Sequence, residues 1–341
     1  MKLQVSRHKD PNPEPIITKS NSQEWEAGGV FNPAVILHNG IFHLLYRTYS
    51  KDLKYEGRRG DRPGFLLKNQ TSSIGYAEST DGIHFQRSKQ PIIFADERDP
   101  FGGEDPRIIR FKDRFWIFYT TIISSLDKKK IATGADEARL ALASTKDFRE
   151  IEKHGIIGPP NQSSKAGAIF TGFQGNKIAL AITLNPDSAS SRIVIRLYDS
   201  IEELLKNTES SWEQFLSSSD SRPILPISPW IYRGPELGAP PLKTRAGWLF
   251  IYSLEMMTDT WAIGAFLSSA NNPNKVIGRL PGHLLQPATD YECQGNVPNI
   301  TFPSGAVINN DQLYIYYGCA DTSIGLATCC LEELLKNIRP I

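Results

Sequence analysis

Two adjacent carboxylates stand before a proline in the segment Gly102-Gly103-Glu104-Asp105-Pro106-Arg107. A carboxyl group can act as a general acid or base, and a nearby arginine can hold it or bind a substrate oxygen. The apolar residues that follow predict a strand, in which Glu104 and Asp105 point to opposite faces, so only one of them faces a site. The segment also fits an ordinary Asp-Pro turn with Arg107 as a surface partner.

Five hairpins recur along the chain, each formed by a turn signal and an aromatic or β-branched run. The runs begin at Phe42, Phe115, Ile178, Trp248 and Leu313. Their spacing of roughly 60–75 residues, with three or four strands per unit, is typical of propeller blades. The sequence therefore predicts an all-β fold, a five-bladed β-propeller with a central-channel active site. A two-domain β-sandwich is the structural alternative.

The predicted propeller is a single domain over residues 1–341, with blades that start near residues 32, 105, 167, 240 and 305. Short connecting helices are predicted at residues 201–206 and 331–337. Because innermost strands converge on the propeller axis, polar residues at the blade starts are expected to form one site. These residues are Asn32, Asp105 and Lys165, with Glu104, Arg107, Glu236 and Glu292 close by. Such a ring of carboxylates and cations suits a hydroxyl-rich ligand.

The composition is that of a globular protein, with 40% hydrophobic and 22% charged residues and a formal net charge of +1. This balance argues against nucleic acid or an anionic membrane as the partner, since both select clustered positive charge. No apolar run approaches the roughly 20 residues that span a bilayer. The first ten residues lack the apolar stretch of a secretory signal. We therefore expect a cytoplasmic protein.

Neither cysteines nor histidines show a metal-binding pattern. The four cysteines, Cys293, Cys319, Cys329 and Cys330, contain no CxxC pair, and the six histidines lack metal-ligand spacing. We expect free thiols, no metal and no cofactor.

Several motifs in chain order carry a family resemblance. They are Trp25, Gly29-Val30-Phe31-Asn32-Pro33-Ala34, Glu104-Asp105-Pro106-Arg107, Pro240-Pro241-Leu242-Lys243-Thr244, Tyr291-Glu292, Phe302-Pro303-Ser304-Gly305 and Gly318-Cys319-Ala320-Asp321-Thr322. The ordered set resembles the β-mannoside phosphorylases and mannosidases of glycoside hydrolase family 130. That resemblance implies a five-bladed propeller that cleaves β-mannosides with inversion, which agrees with the blade count.

The resemblance implies roles for single residues. Asp105 matches the family's general acid, which in its phosphorylases protonates the glycosidic oxygen through a sugar hydroxyl. Arg47, Lys165 and Asp321 match positions that hold the mannose ring where the bond is cut. Asn32, Glu104 and Arg107 are expected to bind substrate beside them.

The nucleophile depends on the residue after Trp248-Leu249-Phe250-Ile251-Tyr252. The family's phosphorylases have a phosphate-binding histidine there, whereas this chain has Ser253. Serine carries no charge and is a weak anion ligand. Arg139 is the nearest candidate for the family's phosphate-binding arginine. We therefore expect water as the nucleophile, activated by a glutamate roughly 6.5–9.5 Å from the acid. The candidates are Glu255, Glu236 and Glu292.

The main expectation is thus an inverting glycosidase acting on short β-mannosides. Two alternatives stay open: an inverting phosphorylase that uses inorganic phosphate and releases α-mannose 1-phosphate, and a non-catalytic sugar-binding propeller. The charged insertions at residues 51–68 and 128–130 are expected to be solvated loops. Alternatively, they cover the channel mouth and bind the leaving sugar or phosphate.

Overall fold

The computed structural model describes residues 3–20, 22–50, 58–59, 62–63, 71–123, 138–225 and 231–341. Within these ranges the sheets form five blades in chain order, which confirms the predicted five-bladed propeller. The insertion at 128–130 lies outside the described residues, and so does the insertion at 51–68 apart from two short strands.

Two short strands, β1 (Ser6–Arg7) and β2 (Ile17–Thr18), precede the first blade. The first blade contains β3 (Gly29–His38), β4 (Ile41–Tyr49), β7 (Ser72–Ser79) and β8 (Gln86–Arg87), and a ribbon of β5 (Arg58–Arg59) and β6 (Arg62–Pro63) interrupts it. The second contains β9 (Gly103–Phe111), β10 (Arg114–Ile122), β11 (Ala138–Thr145) and β12 (Glu152–Ile156). The third contains β13 (Ser164–Thr171), β14 (Ile178–Leu184) and β15 (Arg192–Tyr198).

The fourth blade contains β16 (Ile231–Leu237), β17 (Leu242–Thr244), β18 (Gly247–Met256), β19 (Thr260–Ser268) and β20 (Val276–Arg279), with β24 (Arg339–Pro340) paired to β20. The fifth contains β21 (Thr301–Asn309), β22 (Gln312–Cys319) and β23 (Ser323–Cys330). The α-helices are Ile201–Leu205, Glu209–Ser217, Asp290–Cys293 and Leu331–Asn337, and the 3-10 helices are Glu24–Glu26, Gln174–Asn176 and Ser219–Ser221. No helix in the described part of the chain is long and apolar enough to cross a membrane.

The hydrophobic core lies between neighbouring blades. One cluster joins Ala34 and Leu45 of the first blade to Ile108 and Ile117 of the second. The middle strands are therefore buried on both faces, and β18 is buried along nearly all of its length. This packing explains why the aromatic runs after each turn signal predicted the blades, because a doubly buried strand reads as a continuous apolar run.

A β-bulge interrupts the innermost strand of every blade. The register shifts at Asn32, Asp105, Ala166, Gly234-Pro235 and Ser304. Four of these positions have a positive φ, which is 46° at Asn32, 49° at Asp105, 48° at Ala166 and 97° at Gly234. A bulge breaks the strict alternation of side chains along a strand, so neighbouring residues can face the same side.

The fourth blade begins earlier than the sequence predicted. Its innermost strand starts at Ile231 instead of near residue 240, and the bulge falls at Gly234-Pro235. The predicted segment forms β17, which pairs with the other end of β18. Pro240 and Pro241 separate the two pieces, because proline lacks the N–H that a continuous ladder requires.

The chain's first strands complete its last blade. Ser6 pairs with Thr328 and Ile17 with Ile324, so β1 and β2 lie on the outer edge of β23. This pairing covers the edge of the fifth blade and closes the ring.

Candidate active site

Asp105 lies at the bulge of β9, where its side chain turns toward the first blade. Its Oδ1 accepts hydrogen bonds from Nδ2 of Asn32 at 2.8 Å and from Nη1 of Arg47 at 3.1 Å. Asn32 occupies the corresponding bulge of β3. Two successive blade starts therefore meet at this carboxylate, which is only 7% exposed.

Arg47 binds both adjacent carboxylates. Its Nη2 lies 2.6 Å from Oε1 of Glu104 and 2.5 Å from the hydroxyl of Tyr49, while Nη1 contacts Asp105. The expectation that Glu104 and Asp105 point to opposite faces was wrong. The register of β9 shifts between Glu104 and Arg107, and this bulge breaks the alternation of side chains. The result is a buried, charge-assisted network.

The surroundings of Asp105 favour its ionised form. Burial alone opposes ionisation, but the positive charges of Arg47, Lys165 and Arg107 and the hydrogen bond from Asn32 hold its pKa below the usual value. Asp105 is therefore a carboxylate in the free protein. A group that carries negative charge into the site would raise this pKa and favour protonation.

Arg107 joins the second blade to the fourth. Its guanidinium donates to the carbonyl oxygens of Asp105, Leu237 and Gly238 at 2.8, 2.9 and 2.9 Å. It is 1% exposed, so the surface-partner alternative does not hold. Burial lowers its pKa to about 10, although Asp105 and Glu236 act in the opposite direction. Arg107 thus fixes the main chain on both sides of the site.

Lys165 and Glu236 meet through Asp187, a residue that sequence reasoning missed. Nζ of Lys165 lies 3.0 Å from Oδ2 of Asp187, and the Asp187 N–H donates to Oε1 of Glu236 at 2.8 Å. Burial and the negative charge of Asp187 raise the pKa of Glu236 to about 7, against the opposing effect of Lys165. Glu236 can therefore gain or lose a proton near neutral pH.

Glu236 and Ser253 are register partners on β16 and β18. Side chains of directly opposed residues lie on the same face of a sheet. The Ser253 hydroxyl is buried and lies 3.5 Å from the carbonyl oxygen of Ala262. A carboxylate therefore stands beside Ser253, the residue on which the expected choice of nucleophile rests.

Glu255, a candidate base, is buried within the fourth blade on β18. It is 6% exposed, and its Oε2 lies 3.3 Å from Nε of Arg233, its neighbour on β16. Arg139, the sequence candidate for phosphate, donates to the carbonyl oxygens of Pro160 and Ala138. These contacts give Arg139 main-chain partners in the second blade and the following loop.

Glu292 is surrounded by donors from the protein itself. Its carboxylate accepts from Nε and Nη2 of Arg7 at 2.8 and 3.0 Å and from the Tyr317 hydroxyl at 2.8 Å. The N–H groups of Ala288 and Thr289 also donate to it. Glu292 is fully buried, so its contacts indicate a structural anchor for the Asp290–Cys293 helix.

Asp321 lies in the β22–β23 turn with φ 51°, and its charge contributes to the electrostatics of Arg47. Asn296 joins this turn to the segment before β3. Its Nδ2 donates to the carbonyl oxygens of Asp321 and Gly28 at 2.9 and 3.0 Å. The fifth blade thereby meets the first at the site. No group of three or more potential metal ligands occurs among the described residues.

The described contacts bring Asn32, Arg47, Glu104 and Asp105 together directly, with Arg107, Lys165, Glu236 and Asp321 close enough to influence their charges. Sequence reasoning missed Tyr49, Asp187 and Asn296. The dipeptide pattern Asn32-Pro33, Asp105-Pro106 and Gly234-Pro235 was a usable signal for the bulge positions.

The sequence model of the family described as beta-1,4-mannooligosaccharide phosphorylase, glycoside hydrolase family 130, matches residues 6–339. The chain belongs to glycoside hydrolase family 130. The predicted family and the prediction of an enzyme that acts on glycosidic bonds are therefore confirmed.

Relatives share nearly the whole length of this family 130 enzyme. The chain is 30% identical to a 1,2-beta-oligomannan phosphorylase of Thermoanaerobacter sp. (strain X514), covering 94% of this chain and 96% of the relative. It is also 30% identical to a beta-1,2-mannobiose phosphorylase of the same strain, over 94% and 96% of the two chains. These relatives favour the phosphorylase alternative over the expected hydrolase.

A solved structure of the same family supports the fold. Beta-1,2-mannobiose phosphorylase from Listeria innocua, in complex with beta-1,2-mannobiose, superimposes with a TM-score of 0.79 at 25% identity. The match covers 98% of this chain and 99% of that one. This family 130 enzyme thus has the same fold as the Listeria phosphorylase.

Proposed function

We propose that the protein is an inverting β-mannoside phosphorylase. It binds a short β-linked mannoside at the Asp105 cluster and transfers the mannosyl group to inorganic phosphate, which gives α-mannose 1-phosphate. The observation that carries this proposal is the Asp105 carboxylate, held by Asn32 and Arg47 in a chain that aligns over 94% of its length with a phosphorylase.

In this proposal Asp105 is the general acid and acts through a hydroxyl of the bound mannose. The free carboxylate is ionised, so it must take up a proton from solvent as the reactive complex forms, and that proton passes through the sugar hydroxyl to the leaving oxygen when its bond to the mannose breaks and phosphate bonds in its place. Bound phosphate favours this protonation. Its negative charge offsets the cations that lower the pKa of Asp105 in the free protein. Arg47 and Asn32 keep the carboxylate in one orientation while the proton moves.

The anion would be bound by cations at or near the cluster. Lys165 acts on the charge of Asp105 and lies 3.0 Å from Asp187, with a side chain that is only 10% exposed. Arg233, three residues before Glu236 on β16 and 3.3 Å from Glu255, is the second candidate. A low-exposure site strengthens the attraction between such cations and phosphate, because solvent screens it less.

Hydrolysis is the second candidate, and one specific observation favours it. Glu236 lies opposite Ser253, where the family's phosphorylases have a phosphate-binding histidine, and a carboxylate there repels phosphate. With a pKa of about 7, Glu236 could accept a proton from water at neutral pH. Water activated by Glu236 would then replace phosphate as the nucleophile.

Product analysis separates the two reactions. Purified protein is incubated with β-1,2- and β-1,4-linked mannooligosaccharides, with and without phosphate, and mannose is separated from mannose 1-phosphate. Mannose 1-phosphate formed only with phosphate, as the α-anomer by NMR, is the expected result. Free mannose at the same rate with or without phosphate would overturn phosphorolysis and support hydrolysis. Saccharide binding without turnover would leave the sugar-binding alternative.

A further inference from the structure

Local hydrogen bonds hold the loop between β14 and β15 of the third blade in one conformation. Asn185 and Asp187 both have positive φ, at 50° and 57°. The Ser188 hydroxyl donates to the Asn185 carbonyl oxygen at 2.7 Å, and the Ser191 N–H donates to the Ser188 carbonyl oxygen at 3.1 Å. These local bonds define the position from which Asp187 projects.

Asp187 contacts both neighbouring blades of the site with different atoms. Its carboxylate lies 3.0 Å from Nζ of Lys165 in the third blade. Its main-chain N–H donates to Glu236 in the fourth blade at 2.8 Å. The two site residues are thereby held in one arrangement by a single loop residue.

Further hydrogen bonds tie the same connection to β16. The Ser191 hydroxyl donates to the carbonyl oxygen of Pro235 at 3.2 Å. The N–H of Leu237 donates to Oγ1 of Thr183, at the end of β14, at 2.8 Å. The β14–β15 connection that carries Asp187 is therefore hydrogen-bonded to the residues on both sides of Glu236.

We infer that Asp187 is a positioning residue of the active site, which orients Lys165 through its carboxylate and Glu236 through its main-chain N–H. The inference rests on the proposed function only for its kinetic consequences. Asp187 acts through the two residues that it holds.

The charge of Asp187 also balances its neighbours. Glu236 experiences the negative charges of Asp187 and Asp105 and the positive charge of Lys165, and it faces Arg107 as well. Removing the Asp187 charge leaves Lys165 without its carboxylate partner at 3.0 Å. The positive charge on Lys165 then acts more strongly on Glu236 and Asp105, and both carboxylates ionise more readily.

The test uses Asp187→Asn, which keeps the size and the main-chain N–H but removes the charge. A ligand-free carbon-13 titration of glutamate carboxyls, with Glu236 assigned through Glu236→Gln, should show the Glu236 midpoint at lower pH in the variant. Turnover should fall on the order of tenfold or more, because a small misplacement of a site group lowers the rate steeply. The KM for mannoside should change less than kcat.

Two further variants make the result unambiguous. Asp187→Glu keeps the charge but lengthens the side chain. The Glu236 midpoint should therefore stay near that of the wild type while kcat falls. Ser190→Ala, in the same loop, should change neither quantity. An unchanged Glu236 midpoint together with unchanged kcat in Asp187→Asn would overturn the inference. A shifted midpoint in a protein that cleaves no mannoside would instead overturn the proposed function and leave the role of Asp187 intact.

Discussion

Asn32 and Asp105 occupy equivalent bulges in successive blades, and the amide of the first donates a 2.8 Å hydrogen bond to the carboxylate of the second. Each residue has a positive φ and precedes a proline. The repeat therefore does more than build five similar blades. In these two blades it brings polar side chains of different types close enough to form one site.

Replacing Asp105 with asparagine tests the general-acid proposal. The amide keeps the shape and can still contact Arg47, but it cannot deliver a proton. Turnover should fall by about 10²–10⁴-fold while mannoside binding persists. Kinetics and calorimetric titration measure the two effects. Asp113→Asn, at an exposed turn where the side chain is 74% accessible, is the matched control and should retain full activity. An unchanged rate in Asp105→Asn would remove Asp105 from the chemistry.

The raised pKa of Glu236 predicts how stability depends on pH. Because the folded-state pKa of about 7 lies above the ordinary value of 4.5, the contribution of Glu236 to stability is fully present below pH 4.5 and is lost as pH rises through 7. The wild type should therefore lose stability relative to Glu236→Gln between pH 5 and 8, by at most on the order of 3 kcal/mol. Denaturant unfolding at several pH values measures it, and parallel curves for both proteins would contradict the prediction.

Arg107→Lys should lower both stability and turnover. A lysine ammonium cannot reproduce the three hydrogen bonds to Asp105, Leu237 and Gly238, and a buried carbonyl left without a donor costs about 1–3 kcal/mol. The same change at Arg110, an exposed residue of the same strand, should stay within about 0.5 kcal/mol. Equal unfolding midpoints for the two variants would show that the bridge between blades contributes little.

Arg7→Ala tests the ion pair that joins β1 to Glu292. The substitution leaves the fully buried Glu292 without its cationic partner, and we expect a loss on the order of 3 kcal/mol in the free energy of unfolding. Lys9→Ala breaks an exposed ion pair with Glu14 and should cost less than about 1 kcal/mol. Thermal unfolding of both variants provides the comparison. A similar small loss in each would mean that the other donors to Glu292 suffice.

The blades could be predicted because their signals are local. The turn Lys112-Asp113 and the run from Phe115 to Tyr119 specify a hairpin from a dozen residues, and the structure forms β9 and β10 there. The start of the fourth blade was predicted too late because the prediction relied on Pro240 and Pro241, which follow the innermost strand, whereas Gly234-Pro235 carries the X-Pro pattern of the other bulges.

The site was predicted less completely, because its geometry depends on the bulges and on contacts between blades. In a regular strand, successive side chains alternate between faces, which would place Glu104 and Asp105 on opposite faces. In the structure both bind Arg47. Asp187 gives no signal of its own, since its importance arises where a loop of the third blade meets the fourth. Glu292 looks like a catalytic acid in sequence, but only its partner Arg7, 285 positions away, explains its burial.

The pairing of Ser6 with Thr328 has a consequence for the order in which the protein matures. On a ribosome, β1 emerges before any blade and must wait for β23, synthesised more than three hundred residues later. Contacts of such long sequence separation form slowly, because loop closure costs entropy before the contact is gained. The outer edge of β23 is therefore covered only when the two ends of the chain meet, after the last blade has been made.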